Sequence, residues 1–80
     1  MGYHKRQINK GVLGQPSKIQ EELDELVDAV DQNNKILAMC ECADIYGALE
    51  AVAKSLGINM EDLKKMSDAT KSAFIEGSRK

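Results

Sequence analysis

Apolar residues recur at Ile19, Leu23, Leu26 and Val30, the i, i+4, i+7, i+11 spacing that draws one stripe along an α-helix. Ahead of that stripe, Ser17-Lys18-Ile19-Gln20 fits a capping box, in which two side chains satisfy orphan backbone donors, so the first helix is expected to start at Ser17. Asp31-Gln32-Asn33-Asn34 reads as a polar turn whose asparagines can end one helix and cap the next. A second helix is expected from Lys35 to Ser55, with a seam of Ile45, Leu49, Val52 and Leu56 and Gly57 as its stop signal. Leu37, Met39, Ala43, Ala48 and Ala53 spread apolar surface over most of its circumference, and such a helix must be covered on nearly all sides. Asn59 caps a third helix, Met60 to Glu76, striped by Leu63, Met66, Thr70, Ala73 and Phe74 and closed by Gly77. The pattern predicts an all-α fold: an antiparallel helical hairpin plus a third helix. One neighbouring helix cannot cover the second, which predicts association between chains.

Residues 1–16 differ in kind. They hold Gly2, Gly11 and Gly14, the only proline, and the basic run His4-Lys5-Arg6 with Lys10. This reads as an irregular arm or short hairpin with a solvated basic run, leaving 17–80 as the helical domain. A chain of 80 residues makes one domain with a modest core, and a disulfide, a metal or a second copy usually helps so short a chain. Cys40 and Cys42, two apart on a helix, point to different sides and cannot pair with each other. They read as small buried apolar residues of a reducing compartment, and a cytoplasmic location is expected. Charges interrupt every apolar run, so neither a signal peptide nor a membrane span is expected. A net charge of −2 gives no global attraction to nucleic acid. Phosphate binding must then be local, or mediated by metal.

The first helix carries Glu21, Glu22, Asp24 and Glu25 in "QEELDEL", and the second carries Glu41 and Asp44 in "CECAD". In an antiparallel hairpin centred near Asn33, residues equally far from the turn share a height, so Glu25 faces Glu41 and Glu22 faces Asp44. Both pairs fall roughly 12 to 17 Å from the turn. Glu41 lies on the line of its seam and Glu22 flanks the other, so both are expected to be partly buried. Like charges gathered in reduced dielectric raise one another's pKa unless a cation sits among them, and a hard divalent ion with oxygen ligands suits that place. Glu22, Glu25, Glu41 and Asp44 are therefore candidate ligands, while Asp24, Asp28 and Asp31 fall away from the seam and read as a solvated acidic face.

The sequence resembles the MazG-like all-α nucleotide pyrophosphohydrolase superfamily, with its relatives the dimeric dUTPases and phosphoribosyl-ATP pyrophosphohydrolase. The family pattern is Glu-Glu-x-x-Glu on one helix and Glu-x-x-Asp on the next; Glu21-Glu22-Leu23-Asp24-Glu25 and Glu41-Cys42-Ala43-Asp44 match it. The flanking "KIQEELDEL", "ADIYGALEAVAKSLGI" and "ATKSAFIEGSRK" are similar too. The resemblance implies Mg²⁺-dependent cleavage of a nucleoside triphosphate to monophosphate and pyrophosphate, with Mn²⁺ as an alternative ion. It also implies a homodimer or homotetramer whose helices complete a four-helix bundle. By motif, Glu22, Glu25, Glu41 and Asp44 would hold the metal. Catalysis would fall to Glu21 and Glu22, Glu21 being a further ligand or the group that orients the attacking water. Lys54, Lys71 and Arg79 are candidate phosphate contacts.

Two other readings compete with this one: a non-catalytic dimeric scaffold or nucleotide-binding module of the same fold, and a helical nucleic-acid binder drawn from the basic arm and the "SRK" tail. The filled acidic motif weighs against the first. Net negative charge, with no basic stripe on any helix, weighs against the second.

Overall fold

The computed structural model describes residues 4–77. It is all-α: α1 spans Pro16–Asp31, α2 Lys35–Ser55 and α3 Met60–Glu76. The helix-start signal at Ser17 is misplaced. Pro16 occupies the first turn, where its missing N–H costs nothing, and Gln15 is the N-cap, without a side-chain cap bond. The Ser17 hydroxyl instead accepts from Val12 N–H at 3.0 Å, tying the arm to the helix.

The turn between α1 and α2 divides its work between two asparagines. Asn33 takes the left-handed conformation with φ 56°, which asparagine tolerates better than most residues, and Asn34 N–H returns to the Ala29 carbonyl at 3.0 Å. The Asn34 side chain then accepts from Leu37 N–H at 3.0 Å and caps α2. Asn59 caps α3 likewise, accepting from Glu61 N–H at 2.7 Å. With so short a turn, α1 and α2 lie antiparallel and form the one extensive helix–helix contact among the described residues. From α3, Met60, Leu63 and Ser67 share only a small cleft with Tyr46 and Leu49 of α2.

The hairpin interface is unlike an ordinary core. Its buried apolar residues are Ala29, Ala48 and Ala53, small side chains that let two helix backbones approach. Beside them are buried Glu21, Glu22, Asp28 and Glu41. The predicted seams are covered only in part: Ile19, Leu26, Ile45 and Val52 are half-buried, whereas Val30, Leu56, Met66 and Phe74 are more than half exposed, as are Ile36 and Met39. Cys40 and Cys42 are exposed rather than buried. Among the described residues, no helix is long and apolar enough to cross a membrane.

Candidate metal centre

The hairpin register sets the site. Glu22 and Glu25 project from α1 and Glu41 and Asp44 from α2, and one carboxylate oxygen of each lies within 4.8 Å of the others. Glu22 and Glu41 are each 5% exposed, Glu25 is half-buried and Asp44 is exposed. The cluster therefore opens on the Asp44 side, into a groove of about 490 Å³ lined by Leu13, Lys18, Glu22, Asp44, Gly47 and Ala48, among others.

Electrostatics divides the buried acids. Burial lifts the Glu22 carboxyl above the usual carboxylate range, and the facing Glu25 carboxyl adds to this against the pull of Lys18. Burial also lifts Glu41, outweighing its hydrogen bond with the His4 imidazole. Among the described residues, Glu22 Oε1 and Glu41 Oε1 are buried with no hydrogen-bond partner. A buried carboxylate oxygen without a donor is costly, and a cation is what removes that cost. Four oxygens from four carboxylates, with one side open to solvent, are a donor set that fits a hard divalent ion retaining some of its water.

Asp28 and Glu21 present the opposite case. Asp28 is not part of a solvated face: it is 3% exposed, because the arm folds back over it. Its Oδ2 accepts from Lys5 N–H at 2.9 Å and from the Gln32 side chain at 2.9 Å, and stands 2.9 Å from His4 Nδ1. Arg6 pairs with both Asp28 and Asp31. Burial works to raise the Asp28 pKa, but these donors together hold it below the usual range. The basic run His4-Lys5-Arg6 is thus a clasp on α1 rather than a solvated terminus. Glu21 accepts from Gly11 N–H at 2.7 Å and from Lys18 at 3.2 Å, with Lys10 at 3.8 Å. The Gly11 bond leads in holding its carboxyl below the usual range. Glycine is required there, since a Cβ would stand 2.1 Å from the Ser17 carbonyl oxygen.

Two residues that the sequence reading did not assign to the site reach it. His4 Nε2 stands 2.9 Å from Glu41 Oε2. Burial works to lower the His4 pKa, but its bonds to Asp28 and Glu41 carry it above its ordinary value. No local spacing could have found it, although a basic arm preceding an acidic helix is a complementary pair of charges. Lys18 lies 3.1 Å from Glu22 and is raised in pKa by Glu22 first and Glu21 second. Its i,i+3 and i,i+4 spacing to those glutamates was legible in the sequence.

The remaining candidates lie elsewhere. Glu21 adjoins Glu22 but is outside the four-carboxylate group. Lys54 sits in the last turn of α2, about 15 Å along the axis from Asp44 at roughly 1.5 Å per residue. Lys71 is on α3, 3.8 Å from Asp68, and Arg79 lies outside the described residues. No curated protein and no solved structure matches the chain. A model of the family described as phosphoribosyl-ATP pyrophosphohydrolase matches residues 2–71, taking in the arm, both helices of the carboxylate cluster and most of α3. The chain therefore belongs to that family of hydrolases acting on phosphoanhydride bonds, within the MazG-like all-α superfamily.

Proposed function

We propose that the chain cleaves a nucleotide between its α- and β-phosphates, with Mg²⁺ or Mn²⁺ as cofactor, releasing pyrophosphate and the monophosphate. The family name makes phosphoribosyl-ATP the first substrate to try, and nucleoside triphosphates share the same scissile bond. One observation carries the reading: two buried carboxylate oxygens, of Glu22 and Glu41, lack donors inside a four-carboxylate cluster that opens on a groove.

On this reading Glu22, Glu25, Glu41 and Asp44 hold the cation. A bound divalent ion supplies charge neutralisation at the phosphates and a Lewis acid at the phosphoryl oxygen. Lys18, which lines the groove, binds a phosphate oxygen as a point charge. Glu22 also lines the groove, whereas the adjacent Glu21 is engaged by Gly11 N–H and Lys18. Glu22 orients the attacking water along the line of the scissile bond and takes its proton. Glu21 acts from behind: ionised and fixed by Gly11 N–H, it holds Lys18 in position. Lys54, Lys71 and Arg79 serve as outer contacts for the far end of the nucleotide.

The division expected at residue 17 is then functional: the helical part holds the cation, and the arm ahead of α1 fixes the acids beside it. A second copy of the chain covers Ile36, Met39, Leu56 and the outer face of α3, completing a four-helix bundle as a homodimer or homotetramer. The free thiols of Cys40 and Cys42 suit a reducing cytoplasmic setting. Pyrophosphate release from phosphoribosyl-ATP and from a panel of nucleoside triphosphates, with Mg²⁺ or Mn²⁺ and with chelator, tests the reading. Metal-dependent release from at least one substrate is expected. Absence of release from all of them, with the chain folded, would leave the non-catalytic scaffold as the better account.

A further inference from the structure

Among the described residues, the arm brings one imidazole to the carboxylate cluster. Asp28 fixes that ring: its Oδ2, already held by Lys5 N–H and the Gln32 side chain, takes the Nδ1 side of His4 at 2.9 Å. The other ring nitrogen, Nε2, is thereby aimed at Glu41 Oε2, also at 2.9 Å. With the Nδ1 proton on Asp28, Nε2 presents a lone pair to a carboxylate oxygen, and two such atoms stay close only around a positive centre. A proton serves. A metal ion serves equally, since two ligand atoms about 2.1 Å from one ion and at right angles stand about 3.0 Å apart.

Two further observations favour metal. The ligand atoms of His4, Glu25 and Glu41 lie within 4.8 Å of one another, in a group that shares Glu25 and Glu41 with the four carboxylates and adds the imidazole. Glu41 Oε1 is buried with no donor, although Oε2 has the imidazole, so His4 alone does not satisfy this carboxylate. A carboxylate on the far ring nitrogen is also how metal-ligating histidines are commonly oriented, and Asp28 stands in that place. We propose that His4 Nε2, Glu25 and Glu41 form a second divalent-cation position on the arm side of the cluster, one that prefers a borderline transition metal such as six-coordinate Co²⁺ to Mg²⁺. The proposal rests on the metal reading above for Glu25 and Glu41 and adds the imidazole. The preference follows from the nitrogen ligand, because Mg²⁺ favours oxygen and its own waters whereas imidazole suits the later transition metals. Any proton on Nε2 leaves to solvent as the metal binds.

The test titrates the full chain with Co²⁺ alone, read by visible absorption and calorimetry, and separately with Mg²⁺ by calorimetry. The variants are His4→Gln, which removes the nitrogen ligand, and Arg6→Ala, which loosens the arm without touching a ligand. His4→Gln should weaken Co²⁺ binding by roughly tenfold or more and change its absorption bands, leaving Mg²⁺ affinity as in the wild type. Arg6→Ala should keep the wild-type Co²⁺ spectrum. Equal Co²⁺ affinity and spectrum in wild type and His4→Gln would overturn the proposal, as would an equal loss of Co²⁺ and Mg²⁺, which would trace the effect to the shared carboxylates. If Mg²⁺ does not bind the wild type while Co²⁺ binding still depends on His4, the four-carboxylate reading fails and this one stands. Mg²⁺ binding with His4-independent Co²⁺ binding gives the reverse.

Discussion

Asp28 and Glu22 are both buried carboxylates on α1, and their pKa values move in opposite directions. Asp28 is surrounded by donors from the arm and from Gln32, so its charge is stabilised where it sits. Glu22 has Lys18 on one oxygen and nothing on the other, and it faces further carboxylates across the hairpin. Glu21 sorts with Asp28, through Gly11 N–H and Lys18; Glu41 sorts with Glu22, its Oε1 being without a donor. Burial alone does not separate these two kinds of acid. The supply of donors does, because a buried anion that the protein itself does not satisfy is a place made for something else.

The largest effect should come from breaking the donor-poor side. Glu41→Gln and Asp44→Asn are each expected to cost roughly a hundredfold or more in metal-dependent turnover, through lost charge stabilisation at the phosphates. The metal-free fold should hold or gain stability, since each change relieves repulsion among the four carboxylates. A pyrophosphate assay beside thermal melts checks both halves. An unfolded Glu41→Gln protein would move Glu41 to the structural class.

The donor-rich side should break in the other sense. Gly11→Ala puts a Cβ against the Ser17 carbonyl, so the arm must shift and Glu21 loses its backbone donor. Asp28→Asn keeps the shape but discards the charge that His4, Lys5 and Arg6 were arranged to meet. Both should lower the melting temperature by several degrees, Gly11→Ala more, whether or not metal is present. A melting temperature unchanged by Asp28→Asn would mean that the arm is not held through that residue.

The two classes should also separate by pH. Glu22 and Glu41 have folded pKa values above the unfolded one, so the folded protein binds the extra protons and metal-free stability falls as pH rises from about 4.5 through their folded values. His4 acts in the same direction at higher pH: its folded value is raised, so its contribution is full below about 6.5 and lost as pH rises through the folded value. Asp28 and Glu21, with depressed values, contribute stability above the ordinary carboxylate range and lose it as pH falls through their folded values. Metal-free melts should therefore peak at mildly acidic pH. Saturating Mg²⁺ should flatten the fall toward neutrality, adding about 2.7 kcal/mol at a hundredfold excess over Kd. Double substitution of Glu22 and Glu41 by Gln should lose less of that Mg²⁺ response than the two singles sum to, since both act through one ion.

The smallest effect is expected at Asp24, which shares the acidic stretch but accepts from the Gln20 side chain and lies outside the four-carboxylate group. Asp24→Asn should change stability by less than about 0.5 kcal/mol and leave turnover alone. A larger loss of turnover would mean that the stretch acts as a diffuse negative field rather than through particular oxygens.

Much was decided by the sequence itself. Period 3.6 and two asparagine caps determined where α2 and α3 lie, because caps and turns are local chemistry. The short turn determined the hairpin register, and with it the meeting of Glu22, Glu25, Glu41 and Asp44, since an antiparallel pair of helices leaves little freedom in height. Tertiary structure decided what lies across the chain. It set the helix start at Pro16 instead of Ser17, because the Ser17 hydroxyl is engaged by the arm. It left Cys40 and Cys42 exposed and gave the most deeply buried positions of the hairpin to alanines and acids, with Leu26, Ile45 and Val52 of the seams half-buried beside them. It gave Asp28 its place, through donors more than twenty residues away in sequence. A carboxylate's role depends on which donors reach it in space, and periodicity carries no record of an irregular arm folding back over a helix.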